Sequence, residues 1–424
     1  MTERELYERG IALWGLQGFG IAYVHEEEVA DRQGRKQRIK VIGLEDQRPQ
    51  HVCGDCGRRY PEGLFQEDEP RRWRDGSVGD LVTYVEIVPW RVACCGGTRV
   101  ERFPWVAEGF RMTRRFFERI AALCTRLPIQ MVARMAGLSW ETVARVDKAA
   151  IALALGDRED LLDGLRWIGV DEVSRTGGHV YFTVVTDLVR GRVVWIGDGK
   201  GRKGLEPFFE ALGPKRCRKI KGVVSDLGTG YLTVIAEYLP RVRHVLDRFH
   251  IVQWLNEALN QIRRRVFGGG PTDEVGKAMK VKKWMLLSAR ERLNQRHKRM
   301  LSTLMKANRP LFKAYLLKEQ MRGILHHRWV YLGALRRNLE DWCTAAIRSR
   351  TEELKVLGRR LRKHVEKVVA GFQVAIRMGL VEAINGKISL LRRQAHGYSD
   401  VEYFKLKIFQ RCSLPDNPWA QIVL

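Results

Sequence analysis

Two carboxylates stand where apolar runs of the sequence end, and both runs predict buried β-strands. Residues 167–170 lead directly into Asp171, and residues 220–225 lead into Asp226. Because side chains alternate across a strand, Asp171 and its neighbour Glu172 face opposite sides, and only one of them can serve a given site. Acids at strand ends are candidates for catalysis or metal binding, provided that the strands bring them together.

The elements around these acids predict a mixed five-stranded sheet. Turn signals separate three strands of an antiparallel meander, and two helix–strand units follow. The predicted strands are 167–172, 180–185, 193–196, 220–226 and 242–247, with helices near 203–212 and 231–238. In that order the first and fourth strands run parallel. Asp171 and Asp226 then reach the same edge of the sheet, where α/β active sites collect.

Two further acids belong to the same predicted sheet. Asp187 lies at the far end of the second strand, which is antiparallel to the first. At roughly 3.3 Å per residue, this predicts a distance of about 25 Å between Asp187 and the site. Geometry therefore excludes Asp187. Asp247 ends the fifth strand at the same edge as Asp226, and the residues alone leave it open as a candidate.

Segment 374–393 predicts an amphipathic helix that offers a third acid. Its apolar stripe is formed by Val381, Ile384, Ile388 and Leu391. Glu382, Asn385 and Ser389 share the opposite face at three- and four-residue spacing. Positive side chains suited to a DNA backbone extend that face, namely Lys387, Arg392 and Arg393. The alternative for Glu382 is an acid that is simply solvated on a helix surface.

Two carboxylates repel a polyanion such as nucleic acid. If they take part in a reaction on that polyanion, a divalent metal ion must lie between them and its phosphates. Mg²⁺ prefers such oxygen ligands and keeps water molecules for chemistry, and Mn²⁺ suits the same ligands. Two ions about 4 Å apart would activate the attacking oxygen and stabilise the leaving one. The residues therefore predict in-line phosphoryl transfer at the sheet edge.

Cysteines in the first quarter of the chain predict a structural zinc site. Cys53 and Cys56 form a CxxC pair with a glycine inside it, which supplies the turn that zinc needs. Cys94 and Cys95 are adjacent, and adjacent side chains rarely face one tetrahedral ion. His51 or one member of that pair would then complete the ligand set. The alternative is a group of structural thiols without metal.

Residues 128–146 predict a helix-turn-helix. A short helix follows Pro128, Gly137 makes the turn, and Ser139 is a good N-cap for a second helix. In the DNA-binding version of this motif the second helix enters the major groove. The candidate DNA contacts are Ser139, Trp140, Thr142 and Arg145. The alternative is a plain helical hairpin.

The chain is strongly basic, since 75 Lys and Arg against 49 Asp and Glu leave a net charge of +26 over 424 residues. Such a charge favours a polyanionic partner, of which nucleic acid is the commonest. A membrane surface is the alternative, but no stretch approaches the roughly 18 apolar residues of a spanning helix. The first residues do not read as a signal peptide. We therefore expect a cytoplasmic protein associated with the nucleoid.

The sequence divides into five predicted regions of a multidomain α/β protein. Region 1–106 is loop-rich and carries a zinc-ribbon-like cysteine module. The helix-turn-helix follows, and a basic helical insertion interrupts the α/β core, where it would clamp DNA or contact a partner subunit. The remaining predicted bounds are 107–163 for the helix-turn-helix, 164–248 for the first part of the core, 249–372 for the insertion, and 373–424 for the second part of the core with the tail.

Five stretches together resemble the ISL3 family of bacterial insertion-sequence transposases. They are Ile168–Glu172, Ser225–Tyr231, Asp247–His250, Glu382–Arg393 and Ala395–Ile408. The order of cysteine module, helix-turn-helix and acidic core is also similar to that family. The resemblance extends over residues 50 to 410, and the joint occurrence of these motifs makes it specific.

The resemblance implies an RNase H-like catalytic domain with a DDE triad. Asp171, Asp226 and Glu382 would be its three acids, which favours Asp226 over Asp247. His250 matches a family position beside the site, where it would contact a phosphate or a catalytic water; a structural role at a helix start is the alternative. The adjacent cysteines depart from the spaced pair of the family, which leaves the zinc ligands open.

The implied function is a transposase that binds the terminal inverted repeats of its own element. It would cut the DNA with two Mg²⁺ or Mn²⁺ ions and join the exposed 3′-hydroxyls to target DNA. Because two ends must be brought together, we expect a homodimer or higher homo-oligomer on double-stranded DNA. One alternative is a catalytically inactive DNA-binding regulator derived from a transposase. Another is an RNase H-fold nuclease that cuts without joining.

Overall fold

The chain divides into two units: Met1–Gly156 with Glu402–Leu424 form the first, and Asp157–Val401 form the second. The computed structural model describes residues 16–30, 34, 36–61, 63–67, 69–77, 81–176, 180–226, 229–267, 283–374, 376–377, 379–395 and 397–414. Parts of the predicted N-terminal region, helical insertion and tail (1–15, 268–282 and 415–424) lie outside the described residues. So does His396 of the last motif.

The described part of the N-terminal region contains nine strands. These are β1 (Phe19–Ala30), β2 (Lys36–Asp46), β3 (His51–Val52), β4 (Arg59–Tyr60), β5 (Phe65–Gln66), β6 (Arg71–Arg74), β7 (Val82–Ile87), β8 (Trp90–Cys94) and β9 (Gly97–Val100). One sheet has the order β1-β2-β7-β6, a second has the order β5-β8-β9, and β3 pairs with β4. The first sheet packs through Phe19 and Val85 on Phe103 and Trp105.

The prediction that this region is loop-rich is wrong. Strand β1 buries Phe19 and Ile21, but from Glu26 onward its side chains are mostly charged and largely exposed. That half of the strand pairs with β2 over its whole length, to Ala30. Because these paired residues are polar and exposed, the hydrophobic pattern does not indicate a strand. The sequence therefore predicts a loop there.

Three helices of the first unit form the predicted helix-turn-helix with a supporting helix. They are α1 (Arg114–Cys124), α2 (Ile129–Ala136) and α3 (Trp140–Leu155). Gly137 has a φ of 62°, a left-handed conformation that favours glycine and ends α2. The Ser139 hydroxyl accepts a hydrogen bond from the Thr142 N–H at 3.2 Å and so caps α3, as predicted.

The second unit contains the predicted mixed five-stranded sheet. Its strands are β10 (Trp167–Ser174), β11 (Tyr181–Asp187), β12 (Arg192–Asp198), β13 (Gly222–Ser225) and β14 (Arg243–Leu246), with helices α4 (Arg202–Cys217) and α5 (Thr229–Tyr238) between them. The order is β12-β11-β10-β13-β14. The first three strands are antiparallel, whereas β13 and β14 run parallel to β10.

A helical block follows the sheet in sequence. Its helices are α6 (Arg248–Phe267), α7 (Lys283–Leu287), α8 (Gln295–Ala307), α9 (Arg309–His326), α10 (Leu332–Ile347), α11 (Glu352–Arg362) and α12 (Val365–Ala370). They pack around a core that includes Leu255, Met321, Leu339 and Trp342. Helix α13 (Gly379–Gln394) then returns to the sheet. Across the described helices, none combines the length and the apolar character needed to cross a membrane.

The last described helix, α14 (Val401–Cys412), packs in the first unit. The predicted second part of the core, 373–424, therefore spans both units. Buried Asp147 of α3 explains the position of α14. Its carboxylate accepts hydrogen bonds from the Tyr403 hydroxyl at 2.5 Å, from Lys407 Nζ at 2.9 Å and from Gln410 Nε2 at 3.2 Å.

Candidate active site

Helix α13 lies directly against the central strand β10. A Cβ atom on Gly169 would lie 2.5 Å from Val381 Cγ2, so only glycine admits this approach. Asp171 is two residues further along β10 and therefore faces the same helix. Asn385 Nδ2 of α13 donates a hydrogen bond to Asp171 Oδ2 at 2.6 Å. Helix α13, which carries the third predicted acid, Glu382, is thus held against Asp171.

Asp226 lies beside Asp171 at the same edge of the sheet. Strands β10 and β13 are parallel, with Val170 opposite Ser225, so the next residue of each strand is an acid. Burial raises the pKa of Asp171, and the negative charge of Asp226 raises it further. The hydrogen bond from the Glu172 backbone N–H, the positive charge of His250 and the Asn385 amide act in the opposite direction. The predicted pairing of these two acids is present.

His250 and Asp247 border the two acids from the start of α6. His250 Nε2 lies 3.9 Å from Asp171 Oδ1. The Asp247 Oδ1 atom accepts a hydrogen bond from the Phe249 N–H at 3.0 Å, which is the contact of a helix N-cap. Burial raises the pKa of Asp247. Asp247 thus has a structural partner, whereas His250 points toward Asp171.

Glu172 lies on the opposite face of the sheet, as the alternation predicts. Burial raises its pKa, and a hydrogen bond from the Tyr231 hydroxyl on α5 lowers it. Tyr231 is itself buried, and its hydroxyl lies 2.9 Å from Thr183 Oγ1. Neither this contact nor the contact of Asn385 with Asp171 is predicted by the sequence. For Asn385 the only signal was its position one turn after Glu382 on the polar face.

Glu382 is exposed and lies three residues before Asn385 on α13. Residues three apart on a helix share a face, so Glu382 is on the side of α13 that bears Asn385. Within the described part of the chain, Asp171, Asp226 and Glu382 do not form a group whose ligand atoms all lie within 4.8 Å of one another. The structure therefore brings the first two acids together and leaves the third nearby on its helix.

Asp187 is nearer to the site than predicted. It lies opposite Ile168, three residues along β10 from Asp171, or about 10 Å at 3.4 Å per residue. The predicted distance of about 25 Å was wrong because the antiparallel pairing returns β11 alongside β10. The carboxylate of Asp187 nevertheless accepts hydrogen bonds from the backbone of Val189 and Arg190 and stabilises a turn.

The four cysteines of the N-terminal module come together, including the adjacent pair. All four Sγ atoms lie within 4.8 Å of one another. Cys95 and Gly96 are the central residues of the β8–β9 hairpin, and both have positive φ, 53° and 72°. This type I′ geometry turns the chain sharply enough for neighbouring cysteines to face one centre. A hydrogen bond from Tyr60 lowers the pKa of Cys94, whereas hydrogen bonds with Cys56 and Cys94 raise the pKa of Cys95, so without a cation the cluster holds a single thiolate.

His51 does not complete the cysteine set. It lies with Asp46 and Glu101 in a second group of possible ligands. His51 Nδ1 is 3.1 Å from Glu101 Oε2. Arg48 also contacts both acids, with Nη2 2.6 Å from Asp46 Oδ2. A guanidinium thus already neutralises these carboxylates in an ion-pair network, and Glu101 Oε1 also accepts a hydrogen bond from the Trp90 N–H at the start of β8 at 2.7 Å.

The candidate DNA-contacting residues lie on two helices. Trp140 and Arg145 are exposed on α3. The Ser139 hydroxyl is engaged in capping and lies 3.0 Å from Thr142 Oγ1. On α13, Lys387 and Arg393 are exposed. Arg392 instead donates hydrogen bonds to the Ser174 carbonyl oxygen at 2.9 Å and hydroxyl at 3.1 Å, which anchors α13 to the end of β10.

Comparisons with known proteins agree with this architecture. A family model described as "Transposase", for the DDE domain of the ISL3 family, matches residues 168–408. A second, described as "Helix-turn-helix domain of transposase family ISL3", matches residues 101–151. The chain is 30% identical over 423 residues to the transposase for insertion sequence element IS1001 of Bordetella parapertussis, covering 98% of this chain and 100% of that protein.

A second relative is the transposase for insertion sequence element IS1557 of Mycobacterium tuberculosis. It is 30% identical over 375 residues, which is 82% of each chain. The matches confirm the resemblance stated from the motifs, and they identify a transposase with a DDE domain and a DNA-binding helix-turn-helix. The chain belongs to the ISL3 family of insertion-sequence transposases.

Proposed function

We propose that this chain binds the terminal inverted repeats of its element, cleaves the DNA to expose 3′-hydroxyls and joins them to target DNA. One observation carries the proposal: Asp171 and Asp226 stand side by side on parallel strands, and Asn385 holds the Glu382 helix against Asp171. In this proposal the second unit is an RNase H-like core interrupted by the helical block. Asp171, Asp226 and Glu382 are its catalytic acids.

The residues at the sheet edge fit a divalent cation that prefers oxygen ligands. Two carboxylates face the same side there, and burial without a bound cation disfavours the charged form of Asp171. Asn385 Oδ1 is buried and has no hydrogen-bond partner among the described residues. When bound, two Mg²⁺ or Mn²⁺ ions supply activation of the attacking oxygen and stabilisation of the leaving oxygen. The negative charge of the two carboxylates is the charge that a divalent-cation site needs.

The residues around the acids position the reacting groups. Asn385 orients Asp171, and Arg392 fixes α13 on β10. His250, 3.9 Å from Asp171, is placed to contact a phosphate or the attacking water. Lys387 and Arg393 bind the DNA backbone beside the site. Asp226, which directly follows β13, supplies the second carboxylate of the site.

Recognition of the element ends belongs to the helix-turn-helix, with Trp140, Thr142 and Arg145 as base or backbone contacts. The cysteine module binds one structural Zn²⁺ through Cys53, Cys56, Cys94 and Cys95. Two ends require at least a homodimer on the DNA, and the helical block clamps DNA or contacts the partner subunit. These steps take place on double-stranded DNA at the bacterial nucleoid, in the cytoplasm.

The experiment that tests the function uses the purified full chain with a duplex that carries the element end. Cleavage that depends on Mg²⁺ and covalent joining to a target plasmid are expected. Cleavage without joining, even from an oligonucleotide that ends in a free 3′-hydroxyl, would favour the nuclease alternative. Tight end binding without cleavage in Mg²⁺ or Mn²⁺ would favour the inactive regulator.

Replacing Asn385 by Ala is expected to weaken divalent-cation binding, because Asp171 loses the amide that orients it. Loss of such an outer partner costs about 10–100-fold in metal affinity or activity. The Mn²⁺ affinity of the full chain, measured by electron paramagnetic resonance, checks this. Ser389→Ala, one turn later on α13, is the matched control and should bind Mn²⁺ as the wild type does. Equal affinities of wild type and Asn385→Ala would contradict the positioning role.

The zinc proposal predicts one zinc ion per chain in protein purified without added metal. Elemental analysis is expected to show this ratio for the wild type and a loss of zinc for Cys53→Ser and for Cys95→Ser. The Cys95 variant is the sharper test because it asks whether both adjacent cysteines are ligands. Cys217→Ser, at a buried cysteine in the second unit, should retain the zinc. Full zinc content in the Cys95 variant would remove Cys95 from the ligand set.

A further inference from the structure

A groove of about 730 Å³ lies within the first unit, between the cysteine module and the helix-turn-helix. Gly54 and Asp55 of the CxxC turn border it at one end. Residues 98–103 and 106–111 line its length, and Arg145 of helix α3 lines it as well. A single depression therefore connects the metal-binding hairpin with the helix that is expected to read DNA.

The groove is lined by five arginines, which are Arg91, Arg99, Arg102, Arg111 and Arg145. Three of them have acidic partners: Arg91 contacts Glu67, Arg99 contacts Asp55, and Arg102 lies 2.8 Å from Glu108. For Arg111 and Arg145 the described residues provide no ion pair. The Arg99–Asp55 and Arg102–Glu108 pairs are exposed to solvent, and exposed ion pairs contribute little to stability. A phosphate can therefore displace the acids of the pairs at little cost.

The acids of the groove do not cancel its positive charge. Glu101, the most buried of them, is already engaged by Arg48, by His51 and by the Trp90 N–H at 2.7 Å. Asp55 and Glu108 are exposed at the surface. The groove thus presents more guanidinium groups than available carboxylates, which suits an extended anion.

Aromatic walls hold the arginines in place. Trp73, Phe103 and Phe110 line the groove, and the Arg145 guanidinium lies 4.8 Å from the centre of the Phe110 ring. A guanidinium that stacks on an aromatic ring loses less conformational freedom when it binds an anion. Arg145 also belongs to α3, so whatever occupies the groove lies next to the DNA segment that α3 contacts.

We propose that this groove binds the sugar–phosphate backbone of the element end, next to the major-groove segment that α3 contacts. A helix in the major groove is flanked by phosphate backbones, and Arg145 is the residue shared by the helix and the groove. The cysteine module and the helix-turn-helix then form one continuous DNA-contacting surface. This inference rests on the proposed function and adds to it the site of backbone binding. The contacts are to phosphates, so they add affinity without base preference.

The test compares the affinity of the full chain for an element-end duplex and for an unrelated duplex of equal length, by fluorescence anisotropy over a range of salt. The variant is Arg102→Gln with Arg111→Gln, both outside the helix-turn-helix helices. Each lost phosphate contact lowers the salt slope by about 0.9. We therefore expect weaker binding to both duplexes and a slope reduced by about 2.

Three comparisons sharpen this test. Lys36→Gln with Arg38→Gln removes the same charge from exposed ion pairs on β2, away from the groove, and should leave the slope unchanged. Arg102→Lys with Arg111→Lys keeps the charge and should restore most of the slope. Thr142→Ala should reduce the preference for the element end while preserving the slope.

The groove proposal is overturned if the Arg102 and Arg111 variant binds like the wild type while Thr142→Ala loses end preference. In that case the proposed function stands. It is also overturned if the Lys36 and Arg38 variant reduces the salt slope as much as the Arg102 and Arg111 variant does, because the effect then reflects net charge alone. A wild type that binds neither duplex would instead refute the proposed function itself.

Discussion

Substituting Asn for Asp171 or for Asp226 is expected to reduce cleavage and strand transfer by about a thousandfold or more. Each acid is a proposed ligand of the catalytic metals, whose charge stabilises the transition state by several kcal/mol. About 1.36 kcal/mol corresponds to a tenfold change in rate, so three such steps give this magnitude. Glu382→Gln should have a comparable effect. Single-turnover cleavage of an element-end duplex in Mg²⁺ measures the loss.

The controls for this prediction are carboxylates that stand beside the acids but have other partners. Asp247→Asn should retain cleavage, because asparagine also caps a helix and the Asp247 carboxylate is engaged by the Phe249 N–H. Glu172→Gln should lose far less activity than Asp171→Asn, because Glu172 faces Tyr231 on the other side of the sheet. All variants should bind the element end as the wild type does. An inactive Asp247→Asn beside an active Asp226→Asn would reverse the choice of the second acid.

Replacing Lys407 by Met is expected to destabilise the first unit by about 3–5 kcal/mol, the usual cost of leaving a buried charge without its partner. Asp147 is fully buried in α3, and Lys407 Nζ lies 2.9 Å from its carboxylate and 3.0 Å from the Cys124 carbonyl oxygen. Native-state hydrogen exchange in α3 and α14, followed in increasing urea, measures the change locally. This readout is needed because a chain with two units does not unfold as one cooperative system.

A double variant and a neighbouring lysine test this interpretation. Asp147→Leu with Lys407→Met removes both charges, and replacement of a buried ion pair by apolar side chains is often nearly neutral. It should recover only part of the lost stability, because the Tyr403 hydroxyl and the Gln410 amide lose Asp147 as their acceptor. Lys405→Met is the neighbouring control: Lys405 is also largely buried, but its partner Glu402, at 2.8 Å, has a side chain that is 69% exposed and stays solvated when the lysine is removed. It should cost less than about 1 kcal/mol. Equal losses for the two single variants would mean that the Asp147 contact contributes little.

The Lys407 prediction also concerns DNA binding. Helix α3 is the second helix of the helix-turn-helix, and α14 holds it through Asp147 from a position more than 250 residues later in the chain. A loosened α14 should therefore weaken binding to the element end in parallel with the loss of stability. Helix α14 is in this respect part of the helix-turn-helix unit, although it directly follows α13 in the sequence.

Local patterns in the sequence were sufficient for the elements that carry the proposed catalytic acids. Alternation along β10 assigned Asp171 and Glu172 to opposite faces, and the order of the strands placed Asp226 beside Asp171. The Gly137 turn and the Ser139 cap also follow from short-range rules, because a left-handed residue and a side-chain cap involve only the next few residues. The resemblance to the family then selected Glu382, which no local rule distinguishes from a solvated acid.

What the sequence by itself determined is therefore the type of each element and the residues available at its ends. The tertiary structure alone decided which distant group meets each polar side chain. Asn385 reaches Asp171, α14 covers Asp147, and the β8–β9 turn brings Cys94 and Cys95 to one centre. The physical reason is that hydrophobic periodicity reports burial but not the partner. A buried charge or amide is satisfied by whichever long-range neighbour the packing brings within hydrogen-bond distance.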